Sequence, residues 1–257
     1  MGRSGAESVT RADVAEFQRR GFVVLPGLFD ASEIARIARC VDELEATPEI
    51  PGRQWMYFEP SRAEPGKRLL NRIENFAPFH PELAALLGGE RLVGAVSALL
   101  GERALLFKDK INFKMAGGSG FEPHQDAQAG WNTYASLFVS VAIALDATTR
   151  ENGCLELAHW EHRRELIGEL WSPLSGATLA KLAFVPYPMQ PGDTAFFDSY
   201  LPHRSGPNET RERRRVVYVT YNRASEGDQR ARYYADKHAN YPPDCEREVG
   251  KDYAYRV

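Results

Sequence analysis

His124-Gln125-Asp126, with His203 following 79 positions later, constrains what this chain can fold into. Side chains alternate in an extended segment, so His124 and Asp126 point to one side and Gln125 to the other. His203 can join them only if a distant segment is brought alongside. The sequence places it just beyond an apolar, strand-like run, Thr194-Ala195-Phe196-Phe197. Two imidazoles and one carboxylate can occupy one face of an octahedral ferrous ion and leave the other face open, the donor set of a non-haem iron oxygenase. Eleven positions after His203, Arg214 heads the run Arg215-Val216-Val217-Tyr218-Val219-Thr220-Tyr221. A guanidinium in this position can take a carboxylate through two parallel bonds, as a dicarboxylate co-substrate requires.

A chain of 257 residues can bury about 70–75% of its unfolded surface around one core. We therefore expect one domain over 1–257, with a helical N-terminal part (about 1–103) packed on a β core (about 104–257). Thr10 is positioned to cap a helix over 11–20, and Asp30-Ala31-Ser32-Glu33 reads as a capping box opening a helix to about 46. Residues 21–25 read as a short strand between them. The prolines and glycines of 47–67 predict an irregular segment, and leucine-rich stripes predict helices at 81–88 and 90–100. A formal net charge of −3 excludes a general field for nucleic acid or anionic lipid. Three cysteines without metal-type spacing suit free thiols and a cytoplasmic location. Met1 to Ala6 carries no signal core or myristoylation pattern, and no apolar run reads as long enough to cross a bilayer.

The strand expected over Leu105 to Met115 has two unlike faces. Phe107, Asp109, Ile111, Phe113 and Met115 share one, and Lys108, Lys110, Asn112 and Lys114 share the other. For Lys110 and Lys114 a solvated outer face and an inward one remain equally open. Ala116-Gly117-Gly118-Ser119-Gly120 is a flexible turn rather than a phosphate loop, because no Lys-Ser/Thr pair or helix follows it. Next to the ligands, Gln125, Trp131 and Tyr134 are candidate substrate contacts, with packing the more frequent role for such aromatics. Leu137 to Leu145 reads as a buried central strand.

Taken together, Phe17 to Phe29, Pro123-His124-Gln125-Asp126, Glu151-Asn152-Gly153-Cys154-Leu155, Gly192-Asp193 and His203-Arg204-Ser205-Gly206-Pro207-Asn208 resemble the phytanoyl-CoA dioxygenase family of iron(II)/2-oxoglutarate oxygenases. The resemblance implies a double-stranded β-helix (jelly roll) with flanking helices. It implies His124, Asp126 and His203 as iron ligands and Arg214 as the partner of the distal carboxylate of 2-oxoglutarate. Ser205, Asn112 and Lys108 would add contacts to that co-substrate, with Lys108 and Asn112 turned inward. Dioxygen would be the oxidant and ascorbate an accessory reductant. Asp126 distinguishes the chain from related halogenases, which carry a small residue there.

One segment departs from the pattern: His159-Trp160-Glu161-His162 stands where the family has a Pro-Gly-Ser-His turn. A structural role there outweighs a second metal site. The run Phe107 to Lys114 with His124 to Trp131 looks like the branch that includes 2-aminoethylphosphonate hydroxylases, and Lys110 would be a substrate contact. A small-molecule substrate is expected, with no nucleic acid or membrane partner, and the oligomeric state is left open. An amino acid or natural-product intermediate is the alternative substrate. A non-catalytic metal-binding jelly roll is the alternative of another class.

Overall fold

The computed structural model describes residues 9–253, so the reading of Met1 to Ala6 lies outside them. Helix α1 (Arg11–Arg20) starts as predicted. The Thr10 hydroxyl accepts from the Asp13 amide and the Asp13 carboxylate accepts from the Thr10 amide, which satisfies donors that a helix start leaves open. Gly21 ends it at φ +77°, where a Cβ would also lie 2.6 Å from the His162 ring. Strand β1 (Phe22–Leu25) leads to α2 (Ala31–Glu45), opened by reciprocal Asp30 and Glu33 bonds.

The segment 47–67 is less irregular than expected. It contains β2 (Trp55–Pro60), antiparallel to β3 (Arg68–Glu74). Its one strand proline is the terminal Pro60, where the missing amide costs the ladder little. Helices α3 (Pro81–Leu87) and α4 (Glu90–Leu100) follow. By length and composition Pro81–Leu100 could cross a membrane, contrary to the expectation that no run is long enough. The chain turns at Gly88-Gly89, however, and Leu83, Leu87, Leu92, Val96 and Leu99 are buried in the main core.

The remaining strands are β4 (Ala104–Lys114), β5 (Phe121–His124), β6 (Phe138–Ala144), β7 (Leu155–His159), β8 (Ala183–Tyr187), β9 (Thr194–Asp198), β10 (His203–Ser205) and β11 (Arg214–Arg223). A short α5 (Gly176–Leu179) precedes β8, and α6 (Arg230–Asn240) follows β11. They form a seven-stranded sheet in the order β1-β9-β6-β11-β4-β3-β2 and a four-stranded sheet β5-β10-β7-β8, the two layers of a jelly roll. Three strands of the larger sheet come from before residue 104, so the part expected to be helical also supplies β1, β2 and β3 to the β core.

One face of the large sheet presents Ile111, Phe113, Val141, Ile143, Val217 and Val219 to the helices. Burying each such side chain contributes roughly 1.5–3 kcal/mol. The other face turns toward the small sheet, where Ala142, Ala144 and Val216 meet Leu155 and Leu157. Small residues here leave room between the layers. Phe107 departs from the expected alternation. The β4/β11 register jumps from Lys108↔Thr220 to Leu106↔Tyr221, so Phe107 is the extra residue of a bulge. It packs with Trp131, Phe138 and Tyr233 instead of with Ile111.

Candidate active site

The two histidines meet through strand pairing. His124, the last residue of β5, lies opposite His203, the first of β10, with ring centroids 4.3 Å apart. The extended backbone of Gln125 carries the alternation one step further, so Asp126 joins them at the start of a 3-10 turn. One ligand atom from each of the three lies within 4.8 Å of the others. Among the described residues this is the one His/Cys/Asp/Glu cluster able to hold a metal.

Neighbouring groups set the protonation that a metal needs. His124 Nδ1 lies 2.6 Å from the Glu122 carbonyl and His203 Nδ1 3.0 Å from that of Leu201. A carbonyl only accepts, so both Nδ1 atoms carry the proton and each Nε2 lone pair is left for metal. Burial pushes both imidazole pKa values down, and for His124 the adjacent His203 adds to this. Burial alone would raise the pKa of Asp126. His203, His124, Lys110 and the Ser140 hydroxyl, 2.7 Å away, outweigh it and hold the carboxylate below its ordinary value.

The triad opens on a cavity between the sheets, a concave site with a few converging polar groups of the kind that takes a small molecule. Lys108, Lys110 and Asn112 line it, as do Trp131, Ser205 and Tyr218. The lysine face of β4 is therefore interior, because the small sheet covers it. Lys114 is the clearest case, at 1% exposure. Its Nζ donates to Ser205 Oγ at 2.8 Å, to the Gly153 carbonyl at 3.3 Å and to the Gly206 carbonyl. These acceptors suit an ammonium, but burial and the adjacent Arg214 push its pKa down to about 6. Lys110 is likewise pushed down to about 7, by burial and Lys108.

Arg214 is paired in register with Lys114, is 2% exposed, and donates to the Gly153 carbonyl. That carbonyl comes from the Glu151-Asn152-Gly153 turn, where Gly153 has φ +74° and a Cβ would collide with the Gly206 carbonyl. Arg215, on the opposite face, makes a two-pronged pair with Asp146 and a bond to Asp42. The alternation thus sets Arg214 and Arg215 on opposite faces, as the sequence predicts; Arg214 does not itself line the cavity, and its register partner Lys114 connects it to the lining residue Ser205.

Two substrate candidates lie elsewhere. The Gln125 carboxamide faces away from the cavity, donates to the carbonyls of Glu165 and Tyr200, and accepts from the Ile167 amide. It anchors the loop after β7, which follows from the same alternation that aligns its two neighbours. Tyr134 packs against Phe107 and Tyr233, and its hydroxyl bonds Asp236 on α6. It is a packing residue outside the cavity lining. His162 bonds Asp198 at 2.7 Å, and His159 bonds Tyr187 and Arg20, so the altered turn ties β9, β8 and α1 together.

Sequence reasoning left Lys114 half assigned and missed Arg72, Ser140 and Tyr218. Register with Arg214 marks Lys114, but only once the pairing is known. Arg72 on β3 borders a side alcove of the cavity with Lys108 and Lys110. No local pattern around it carries that information.

The donor set and the charge fit the group they would hold. A His-Asp-His face suits iron(II). Beside it, Arg214 Nε is buried and makes no hydrogen bond among the described residues, a donor that a carboxylate would satisfy.

Comparison with known proteins agrees. Residues 17–216 match the model of the family described as Phytanoyl-CoA dioxygenase (PhyH). A 2-aminoethylphosphonate dioxygenase from an uncultured bacterium is 40% identical over 246 residues, covering 95% of this chain and 94% of the relative. A methylphosphonate hydroxylase from Gimesia maris is 37% identical, covering 91% and 88%. Among solved structures, EctD from S. alaskensis with 2-oxoglutarate and 5-hydroxyectoine shares the fold, with a TM-score of 0.72 and 24% identity over 87% of this chain and 79% of that one. The chain belongs to the phytanoyl-CoA dioxygenase family.

Proposed function

We propose that this chain is an iron(II)- and 2-oxoglutarate-dependent dioxygenase that hydroxylates an aliphatic C–H bond of a small anionic metabolite, with 2-aminoethylphosphonate or a related aminophosphonate first. One observation carries the reading. The His124-Asp126-His203 face opens on a cavity whose wall continues through Ser205 to the buried cations Lys114 and Arg214. A structural metal site has no use for two buried basic side chains beside it. The names of the relatives support both the reaction class and the phosphonate.

Each residue then has a physical task. His124, Asp126 and His203 would hold iron, and the carbonyls of Glu122 and Leu201 orient the two rings. Ser140 fixes the Asp126 carboxylate through its hydroxyl. Arg214, Lys114 and Ser205 would bind the distal carboxylate of 2-oxoglutarate, and Asn112 lies along the same wall. Iron(II) with 2-oxoglutarate supplies the oxygen activation, and 2-oxoglutarate leaves as succinate and carbon dioxide. The walls of the cavity hold the reacting C–H bond in place and limit access of bulk water.

The test is succinate release from 2-oxoglutarate by purified protein with iron(II), ascorbate and oxygen, across aminophosphonates, amino acids and natural-product intermediates. Mass spectrometry follows the added oxygen atom. Substrate-dependent succinate matched by a hydroxylated product is the expected result. No succinate, even slowly and without substrate, from iron-loaded protein sinks the reading in favour of a binding module.

A further inference from the structure

The site carries more positive charge than one dicarboxylate needs, and the surplus is grouped. Arg72, Lys108 and Lys110 border an alcove that shares His124 and Asp126 with the main cavity. Behind it Glu74, fully buried, takes Arg72 Nε at 2.8 Å on one oxygen and Lys237 Nζ at 2.5 Å on the other. Lys108 Nζ stands 3.9 Å from Glu74. Lys110 Nζ is 5.0 Å from the centroid of the Tyr218 ring. Glu74 thus gathers three basic side chains, Arg72, Lys108 and Lys237, and Lys110 joins Arg72 and Lys108 at the alcove wall. Like charges kept this close in a low-dielectric site repel strongly unless an anion joins them.

That anion is not the 2-oxoglutarate tail, so Lys108, which the family resemblance would give to the co-substrate, is assigned to the substrate instead. Along β4, Lys108 is six residues from Lys114, about 20 Å at the rise of an extended strand. The two cation groups thus sit toward different ends of the strand, with the triad beside the alcove. The alcove also offers little to a cation. Among the described residues bordering it, the only carboxylate is Asp126, which a metal would occupy. The Trp131 ring already has Lys108 Nζ 5.5 Å from its centroid.

We infer that Arg72, Lys108 and Lys110 form the subsite for the substrate's phosphonate group, and that the enzyme selects its substrate by this anionic end rather than by an ammonium. The inference rests on the dioxygenase reading for the identity of the second anion. Glu74 acts as a positioning residue, holding Arg72 and Lys108 at the alcove wall while leaving the group a net positive charge. A substrate anchored there has its carbon chain directed to His124 and Asp126, where the open metal face lies. Alkylphosphonates without an amine fit the same subsite.

The experiment is calorimetric titration of anaerobic, iron-loaded protein, with 2-oxoglutarate first and then with methylphosphonate or 2-aminoethylphosphonate. Methylphosphonate is expected to bind within tenfold of the aminophosphonate. Lys108→Gln is expected to weaken both phosphonates at least tenfold and 2-oxoglutarate less than threefold, and Lys108→Arg to restore most of the loss. Thermal unfolding of each variant checks the fold, and Arg72→Gln provides a second variant with the same expectation. Phosphonate affinity unchanged in both variants overturns the subsite, as does a loss confined to 2-oxoglutarate. Wild-type binding of the aminophosphonate without methylphosphonate overturns selection by the anionic end. Wild-type protein that binds 2-oxoglutarate but neither phosphonate overturns the subsite and leaves the oxygenase reading standing. Phosphonate binding without any 2-oxoglutarate binding supports the subsite and defeats the oxygenase reading.

Discussion

Arg214 and Arg215 are adjacent on β11 and face opposite ways, so substituting each in turn separates co-substrate binding from folding. Arg214→Gln removes a buried guanidinium whose Nε is unsatisfied and whose strand neighbour is Lys114. Losing one partner of a buried, hydrogen-bonded charge pair costs about 2–5 kcal/mol. Lys114 stays in place to hold part of the carboxylate, so the lower half of that range applies. At 1.4 kcal/mol per tenfold, about 2–3.5 kcal/mol corresponds to a roughly 30- to 300-fold rise in the 2-oxoglutarate dissociation constant. Removing a desolvated guanidinium that depresses the neighbouring Lys114 pKa leaves the ligand-free fold intact. Arg215→Ala breaks the two-pronged pair with Asp146 and the bond to Asp42. That loss is about 1–3 kcal/mol of stability, on the order of 3–10 °C in melting temperature for a chain of this size. Its 2-oxoglutarate affinity is expected to match the wild type. Calorimetry with 2-oxoglutarate and thermal unfolding read the two effects independently. If Arg214→Gln keeps its co-substrate affinity within threefold, or Arg215→Ala loses it while remaining folded, the assignment of faces is wrong.

Three further outcomes are expected. Asp126→Ala should abolish coupled hydroxylation and reduce bound iron while the protein stays folded; wild-type turnover in that variant would defeat the triad. The depressed Lys114 pKa gives a signed pH effect: the site is largely unprotonated above pH 6 without ligand, and a bound carboxylate raises its pKa, so 2-oxoglutarate binding at pH 8 should take up a proton. Calorimetry in buffers of differing ionisation enthalpy measures the uptake, and zero uptake or proton release would contradict the placement of Lys114. His162→Ala should destabilise the fold by about 2–4 kcal/mol, since it leaves the buried Asp198 short of a partner, while iron content holds at one per chain. A drop from two irons to one would restore the second metal site.

The local sequence determined whatever depends on neighbours a few residues away. Thr10 and Asp30 mark helix starts because their capping partners lie three positions on. His124 and Asp126 share a side, and Arg214 and Arg215 oppose each other, because extended backbone alternates whatever surrounds it. The tertiary structure alone decided what depends on which layer covers which face. Lys110 and Lys114 could equally have been solvated on an uncovered sheet. The bulge that moved Phe107 to the aromatic cluster came from strand register, and the strand within 47–67 came from pairing with β3. Tyr134 was drawn out of the cavity by α6, a hundred residues further along. Arg72 joined the alcove only because β3 lies beside β4 in the large sheet. A sequence carries the chemistry of a side chain and the local direction it takes, and long-range pairing then sets which charges share a desolvated space.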